Sequence, residues 1–308
     1  MRVLITGGAG FIGANLVRYV ELKDAGVEIR VFDDLSTGYE SNLVGTKAEL
    51  LRGSLADADA VHSATEGCDA VVHLGALGSV PRSVNDPVTS HVANLTGTLN
   101  VLEAARAAGA YVVFASSSSV YGANTKLPKS EFDWTRPMSP YAVTKLGAEG
   151  YVLAYGFAYG MPTLAFRFFN VYGPLQSPDH AYAAVIPKFI DAALKGEPLS
   201  VHGDGLQSRD FTHVDTVCAA LWSAVERRLA LPDPVNLAFG TRTTLLELID
   251  VIGAQVDAPL AVEHVGARIG DVRASQSDGL RLREHFPDVA PMPLEAGIAS
   301  TLAWFKSR

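Results

Sequence analysis

Short runs of β-branched and aliphatic residues, each closed by glycine or another turn residue, alternate along this chain with longer segments of helical period. Arg2-Val3-Leu4-Ile5-Thr6 is followed by the stretch Phe11 to Lys23 and then by Glu28-Ile29-Arg30-Val31-Phe32, the order of a βαβ unit. The alternation continues through Glu49 to Arg52, Ala70 to Leu74, Tyr111 to Ala115 and Thr163 to Phe168, with helical stretches before the last two. Near-continuous apolar strands separated by helices predict a parallel sheet covered on both faces, with ligands at the carboxyl ends of its strands. The expected fold class is therefore α/β, a Rossmann-type doubly wound parallel sheet. Beyond about residue 170 the texture changes to short elements punctuated by Pro and Gly, with helical periods near Ala181 to Lys195, Val214 to Arg228, Thr244 to Gln255 and Leu294 to Phe305. There is no internal repeat, low-complexity tract or flexible linker. The expected organisation is a domain over residues 1–170 and a smaller lobe over 171–308, sharing one cleft.

Of the 308 residues, 48% are hydrophobic and 19% charged, which excludes a disordered chain and allows a sizeable core. The balance of 25 Lys and Arg against 33 Asp and Glu leaves a net charge of -8, so no nucleic-acid partner is expected. Cys68 and Cys218 are too few for a disulfide framework and lack the paired spacing of a structural zinc site, so no metal is expected either. Val3-Leu4-Ile5 is too short for a signal-peptide core, and no run approaches the roughly 18 to 20 apolar residues of a membrane span. The expectation is a cytoplasmic protein without a membrane partner.

The chemistry begins at Gly7-Gly8-Ala9-Gly10-Phe11-Ile12-Gly13, between the first strand and the first helix. Glycines there let the backbone turn tightly and approach a pyrophosphate, whose charge then lies at a helix N-terminus. Asp33 falls 20 residues after Gly13, at the end of the second strand, where a carboxylate can bind the adenosine ribose hydroxyls. Asp33 and Asp34 repel a 2'-phosphate, and no Arg or Lys occurs between Arg30 and Lys47 to hold one. NAD is expected rather than NADP. Tyr141 and Lys145 stand four residues apart on one face of a helix opened by Ser139-Pro140, placing a phenol beside a cation. Use of that phenol as a base near pH 7 requires its pKa to fall by about three units from ~10. Ser116 to Ser119 supply four consecutive hydroxyls after an apolar strand, which suits hydrogen bonding to a sugar at the strand ends.

TGGAGFIG at residues 6–13, Tyr141 and Lys145 of YxxxK, Asn170-Val171-Tyr172-Gly173-Pro174, Gly203-Asp204-Gly205 leading to Arg209-Asp210-Phe211, and Arg268-Ile269-Gly270-Asp271 together resemble the extended short-chain dehydrogenases/reductases of the nucleotide-sugar epimerase/dehydratase family. The resemblance covers essentially the whole chain. It implies that NAD lies against Gly7, Gly10, Phe11, Ile12, Gly13, Asp33, Leu74, Ala76, Lys145 and Phe168, with Asn94 near the nicotinamide end. It also implies that Ser117 and Tyr141 share the proton transfer, while Lys145 lowers the tyrosine pKa and holds the nicotinamide ribose. Asn170, Arg209 and Arg268 would grip the substrate diphosphate and Asp271 the uridine ribose. A homodimer is the family expectation. The chain departs from the family at Gly75, within His73-Leu74-Gly75-Ala76 where members often read HLAA, and at Ser54, where they often carry an acid.

Dehydratases of the family resemble the pattern Thr-Asp-Glu before Val-Tyr-Gly, and the two acids serve to eliminate water. This chain has Ser117-Ser118-Ser119 there, which leaves oxidation at C4 and re-reduction through a transient 4-keto sugar. The reading is NAD-dependent 4-epimerisation of a UDP-hexose. Resemblance to the subgroup acting on UDP-N-acetylglucosamine implies a hexose box of mostly small residues, Gly78, Ser79, Ser118, Ser119, Gln176, Ala184 and Ser275, favouring UDP-GlcNAc and UDP-GalNAc and open to UDP-glucose and UDP-galactose. A UDP-glucuronate 4-epimerase, another nucleotide-sugar dehydratase or reductase, and a non-enzymatic NAD-binding sensor are the alternatives. The presence of Ser117, Tyr141 and Lys145 together argues against the sensor.

Overall fold

The computed structural model describes residues 1–179, 183–256, 260–266 and 273–307. Seven strands form the main sheet: β1 (Arg2–Thr6), β2 (Glu28–Asp33), β3 (Glu49–Arg52), β4 (Ala70–His73), β5 (Tyr111–Ser117), β6 (Thr163–Phe168) and β7 (Val235–Leu237). Their order is β7-β6-β5-β4-β1-β2-β3 and every pairing is parallel. That is the doubly wound order with one added edge strand, and the strand order reverses between β1 and β4. Leu4, Val71, Val112 and Ala165 from the strands join Val101, Leu102, Ala148 and Val152 from helices in one buried cluster. Covering helices on both faces explain why these strands are apolar at nearly every position.

The Pro140–Tyr159 helix opens at Ser139, whose Oγ accepts from Ala142 N at 3.2 Å, has Pro140 in its first turn, and ends at Gly160 with φ +65°. Such a cap contributes about 1 kcal/mol and fixes where the helix, and so Tyr141, begins.

The chain divides into two compact units. The first comprises Met1–Thr125, Glu131–Phe168 and Cys218–Leu237, and the second Lys126–Ser130, Phe169–Val217 and Ala238–Arg308. Sequence patterning suggested a single division after residue 170, whereas the chain returns to the first unit to add β7 beside β6. Three residues are too few for a periodic signal, so this strand is invisible to sequence patterning. In the second unit, helices Val185–Lys195, Leu245–Gly253 and Leu294–Lys306 pack Ile186, Phe189, Ile190, Leu248, Ile252, Ile298 and Leu302 into a separate core. The first of these helices begins at Val185; Ala181 and Tyr182, where sequence reading started it, lie outside the described residues. No described helix is long and apolar enough to cross a membrane.

Candidate active site

At the carboxyl end of β1 the backbone turns at Gly7, which has φ +69° and whose added Cβ would lie 2.7 Å from the Gly75 Cα. Gly13 sits in the first turn of the Phe11–Lys23 helix, where an added Cβ would fall 2.4 Å from the Gly7 carbonyl oxygen. Neither position admits a side chain. Gly10 precedes the helix and gives it no side-chain cap, so an anion is the group suited to its first amides. Asp33, at the end of β2 and 8% exposed, accepts from Ala9 N at 3.0 Å and Leu35 N at 2.8 Å. Burial raises its pKa and these two hydrogen bonds oppose the rise. A bare glycine turn, an uncapped helix start and a carboxylate at the next strand end fit the pyrophosphate and ribose of a dinucleotide.

Ser117, Tyr141 and Lys145 all belong to the first unit. The pleat of β5 directs Ser117 and Ser116 to opposite faces. Ser117 Oγ accepts from Ser119 Oγ at 2.9 Å and from Ser119 N at 3.2 Å, and it hydrogen-bonds the Tyr141 phenol. Burial raises the Tyr141 pKa above its ordinary value, and the Ser117 hydrogen bond opposes that. Lys145, 4% exposed, donates from Nζ to the Ala115 carbonyl at 2.7 Å and lies 5.0 Å from the Phe114 ring centroid. Burial pushes its pKa down from 10.5 to about 7. By itself, then, the protein holds Tyr141 as a phenol. The downward shift expected from the sequence requires positive charge brought by a bound group.

Ser116, counted with its neighbours as a sugar-binding hydroxyl, is instead 3% exposed and donates to Glu149 Oε2 at 2.6 Å. Glu149 lies one helical turn beyond Lys145 and is clasped by Arg167 of β6, with Nη2 to Oε1 at 2.6 Å and Nε to Oε2 at 3.0 Å. Arg167 Nη1 continues to the Tyr121 hydroxyl at 2.9 Å, which donates to Asn236 Oδ1 of β7 at 2.7 Å. Sequence reading missed this pair, although a lone arginine in an apolar strand signals a buried partner.

Asn94, 2% exposed, sits in a widened turn over Val92–Thr96. Its Oδ1 accepts from Leu77 N at 2.7 Å, and its Nδ2 donates to Thr144 Oγ1 at 3.1 Å. Leu74 N donates to Thr6 O at 3.1 Å, which keeps the segment after β4 beside the glycine turn. Phe11, Ile12, Leu74 and Ala76 are half-buried, Gly78 is exposed, and Phe168 is buried at the end of β6. Ser79 has φ +156°, an uncommon backbone for a residue with a side chain, and its Oγ accepts from Arg82 N at 3.1 Å. Ser83, in the short helix that follows, accepts from Tyr141 N at 3.0 Å.

In the second unit, Asn170 N and Nδ2 donate to the Asp210 carbonyl at 3.3 and 3.5 Å, Arg209 Nη1 donates to Ser208 O at 2.9 Å, and Ser275 N donates to Ser208 O at 3.1 Å. Next to Arg209 in the chain, the fully buried Asp210 accepts from Gly240 N at 3.0 Å, Thr241 Oγ1 at 2.7 Å and Ser277 N at 3.1 Å. Burial raises the Asp210 pKa and those hydrogen bonds resist it. Sequence reading used the aspartate only as part of a motif. Gln176 Nε2 donates to Val171 O at 3.3 Å, and Ala184 is exposed at the start of its helix. Arg268 and Asp271 lie outside the described residues.

A parallel sheet of this order with a dinucleotide turn and a Ser, Tyr and Lys set defines a nicotinamide-dependent enzyme of sugar or alcohol chemistry. Residues 3–238 match the NAD dependent epimerase/dehydratase family, and the chain belongs to it, with NAD as its cofactor. It is 37% identical over 315 residues to a UDP-glucose 4-epimerase of Mycolicibacterium smegmatis, covering 100% of this chain and 99% of that protein. Among solved structures it resembles the UDP-N-acetylglucosamine 4-epimerase from Methanobrevibacter ruminantium in complex with UDP-N-acetylmuramic acid. The TM-score is 0.93 and the identity 34%, over 99% of this chain and 98% of that one. It also resembles the Thermus thermophilus UDP-glucose 4-epimerase in complex with NAD, with a TM-score of 0.89 and 34% identity over 99% of each chain.

Proposed function

We propose that this protein interconverts the C4 epimers of a UDP-hexose, favouring UDP-GlcNAc and UDP-GalNAc and also taking UDP-glucose and UDP-galactose. The observation that carries this reading is the neighbourhood of Tyr141. Its hydrogen-bond partner is Ser117, whose own neighbour is Ser119 rather than an acid. The carboxylate nearest along the same helix, Glu149, is engaged by Arg167 and Ser116. Proton transfer at one hydroxyl is thus provided for, while Ser118 and Ser119, the positions before Val120, carry no carboxylate to serve as acid or base in elimination of water.

In this reading Gly7, Gly10, Phe11, Ile12, Gly13 and Asp33, with Leu74, Ala76, Asn94, Lys145 and Phe168, hold NAD. When bound, NAD supplies the hydride acceptor and donor for C4. Tyr141 takes the proton of the 4-hydroxyl and returns it on the other face of the sugar, with Ser117 fixing the phenol oxygen between the two steps. Asn170 and Arg209, and Arg268 and Asp271 outside the described residues, are assigned to the UDP moiety. Guanidinium forks match phosphate oxygens, and an acidic protein needs local cations to hold a dianion. Gly78, Ser79, Ser118, Ser119, Gln176, Ala184 and Ser275 are assigned to the hexose, where small side chains leave room for a 2-acetamido group. A homodimer is proposed through the Pro140–Tyr159 helix, which exposes Val143, Tyr151 and Phe157.

Purified protein given UDP-GlcNAc, UDP-glucose or UDP-glucuronate without added NAD tests this, with the products resolved by NMR. A mixture of UDP-GlcNAc and UDP-GalNAc is expected. Loss of water, a net redox change, or turnover of UDP-glucuronate alone would replace the reading by a dehydratase, a reductase or a glucuronate epimerase.

A further inference from the structure

Thr6 and His73 are register partners at the carboxyl ends of β1 and β4, the two strands between which the order reverses. Gly75 N donates to Thr6 Oγ1 at 3.2 Å, and Thr6 Oγ1 lies 2.6 Å from His73 Nδ1. On the other side of the ring, His73 Nε2 lies 3.0 Å from Thr98 Oγ1, which in turn is 2.5 Å from the Asn94 carbonyl oxygen. Thr6, His73, Thr98 and Asn94 are each no more than 2% exposed.

The available protons fix the direction of every bond. A carbonyl only accepts, so the single hydroxyl proton of Thr98 is committed to Asn94 O. The proton between Thr98 and the ring therefore sits on His73 Nε2. Burial, aided by the Lys145 cation, pushes the imidazole down to about 3, so the ring is neutral and Nδ1 is bare. Thr6 donates to that bare nitrogen. The chain runs one way, from the Gly75 amide through Thr6, His73 and Thr98 to the Asn94 carbonyl. It then passes through the Asn94 side chain to Thr144 Oγ1 at 3.1 Å, whose hydroxyl donates to the Tyr141 carbonyl at 2.8 Å.

We propose that His73, locked as the Nε2–H tautomer, is a positioning residue that registers the Asn94 turn and the Tyr141 helix against the glycine turn. The proposal rests on the reading of Tyr141 as the proton-transfer group. A core histidine that merely fills space has no need of two directional partners, and a displacement of about 1 Å at a reacting group costs on the order of 100-fold in rate.

The test uses the protein as purified, labelled with [15N]histidine, with His73 assigned from the signals lost in His73→Gln. A pyridine-type Nδ1 and a pyrrole-type Nε2, unchanged across about pH 5 to 9, are expected; the opposite tautomer or a titrating ring overturns the proposal. Thr98→Val and Thr144→Val keep side-chain volume while breaking the chain at two points. Each should shift the ring resonances of Tyr141, and each should lower kcat on the order of 10- to 100-fold with KM for the UDP-sugar nearly unchanged. Because both break one path, the double variant should lose no more than the worse single; additive losses refute the coupling. His73→Gln can offer a carbonyl to Thr6 and an amide to Thr98, so it should retain more activity than His73→Phe, and equal activities refute the role. The ring-nitrogen and Tyr141 signals need no substrate. If no UDP-sugar turns over, the functional reading has failed, and unmoved Tyr141 signals in the two valine variants still overturn the positioning role.

Discussion

Replacing Glu149 by Gln removes one charge from a buried, bidentate ion pair and leaves the other behind. The side chains of Arg167 and Glu149 are only 5% and 3% exposed, and their two N–O distances are 2.6 and 3.0 Å. Burial alone would lower the Arg167 pKa; the hydrogen bonds and charge of Glu149 more than reverse that. Two unit charges about 4 Å apart at an effective dielectric constant near 20 interact by about 4 kcal/mol, in line with the 3 to 5 kcal/mol typical of breaking a buried pair at one end. Glu149→Gln should therefore lose about 3 to 5 kcal/mol of unfolding free energy. Arg167→Met in the same chain removes the stranded cation, so the double variant should recover at least half of that loss. Guanidinium chloride unfolding of wild type, both singles and the double, each saturated with NAD and followed by circular dichroism, gives the coupling energy directly. A loss below about 1 kcal/mol for Glu149→Gln, or a double variant no more stable than that single, would refute the assignment of a net buried charge.

Three further outcomes are expected. Tyr141→Phe should lose roughly 10²- to 10⁴-fold in kcat while UDP-GlcNAc binds about as before by calorimetry; near-normal turnover would remove Tyr141 from the chemistry. Between the native Lys145 pKa of about 7 and its ordinary 10.5, the unfolded chain holds a proton that the native state lacks, so NAD-free stability rises with pH across that window. Relative to Lys145→Met, the wild type should gain on the order of 1.4 kcal/mol per pH unit there, and parallel stability–pH curves for the two proteins would contradict it. Ser275→Tyr should lower the ratio of kcat/KM for UDP-GlcNAc over UDP-glucose about five- to 150-fold, the equivalent of roughly 1 to 3 kcal/mol of overpacking; an unchanged ratio places the size gate elsewhere.

The central strands β1, β4, β5 and β6 were legible because a parallel sheet buried on both faces leaves near-continuous apolar runs in the sequence, and β2 and β3 toward the edge by their shorter β-branched or aliphatic runs. The glycine turn and the Tyr141–Lys145 pair were legible because their partners are local: one turn of chain, or one turn of helix. What stayed hidden is the pairing of buried polar groups distant in sequence. Thr6 and His73 are 67 positions apart, and Ser116 and Glu149 are 33 apart. The four serines that end β5 and follow it read as one polar surface, yet strand alternation sends Ser116 inward to a carboxylate and leaves Ser117 for the phenol. Asp210 reads as a motif letter in the sequence, whereas in the fold its carboxylate holds two separate segments, at Gly240–Thr241 and at Ser277.

The return of the chain to complete the main sheet bears on how the protein can be made and cut. β7 pairs with β6 through Val235↔Phe166, Asn236↔Arg167 and Leu237↔Phe168, so during synthesis β6 waits for at least 67 further residues before its outer edge is covered. Asn236 also accepts from Tyr121 at 2.7 Å and donates from its amide to Glu131 at 2.7 Å, which ties the late strand to the Arg167 cluster. A fragment stopped at residue 170 would carry an open, apolar strand edge with an incomplete polar cluster behind it, a template for edge-to-edge aggregation. The nucleotide-binding unit of this chain is thus not one continuous stretch that can be cut free after β6: its last strand is translated only after residues 169–234.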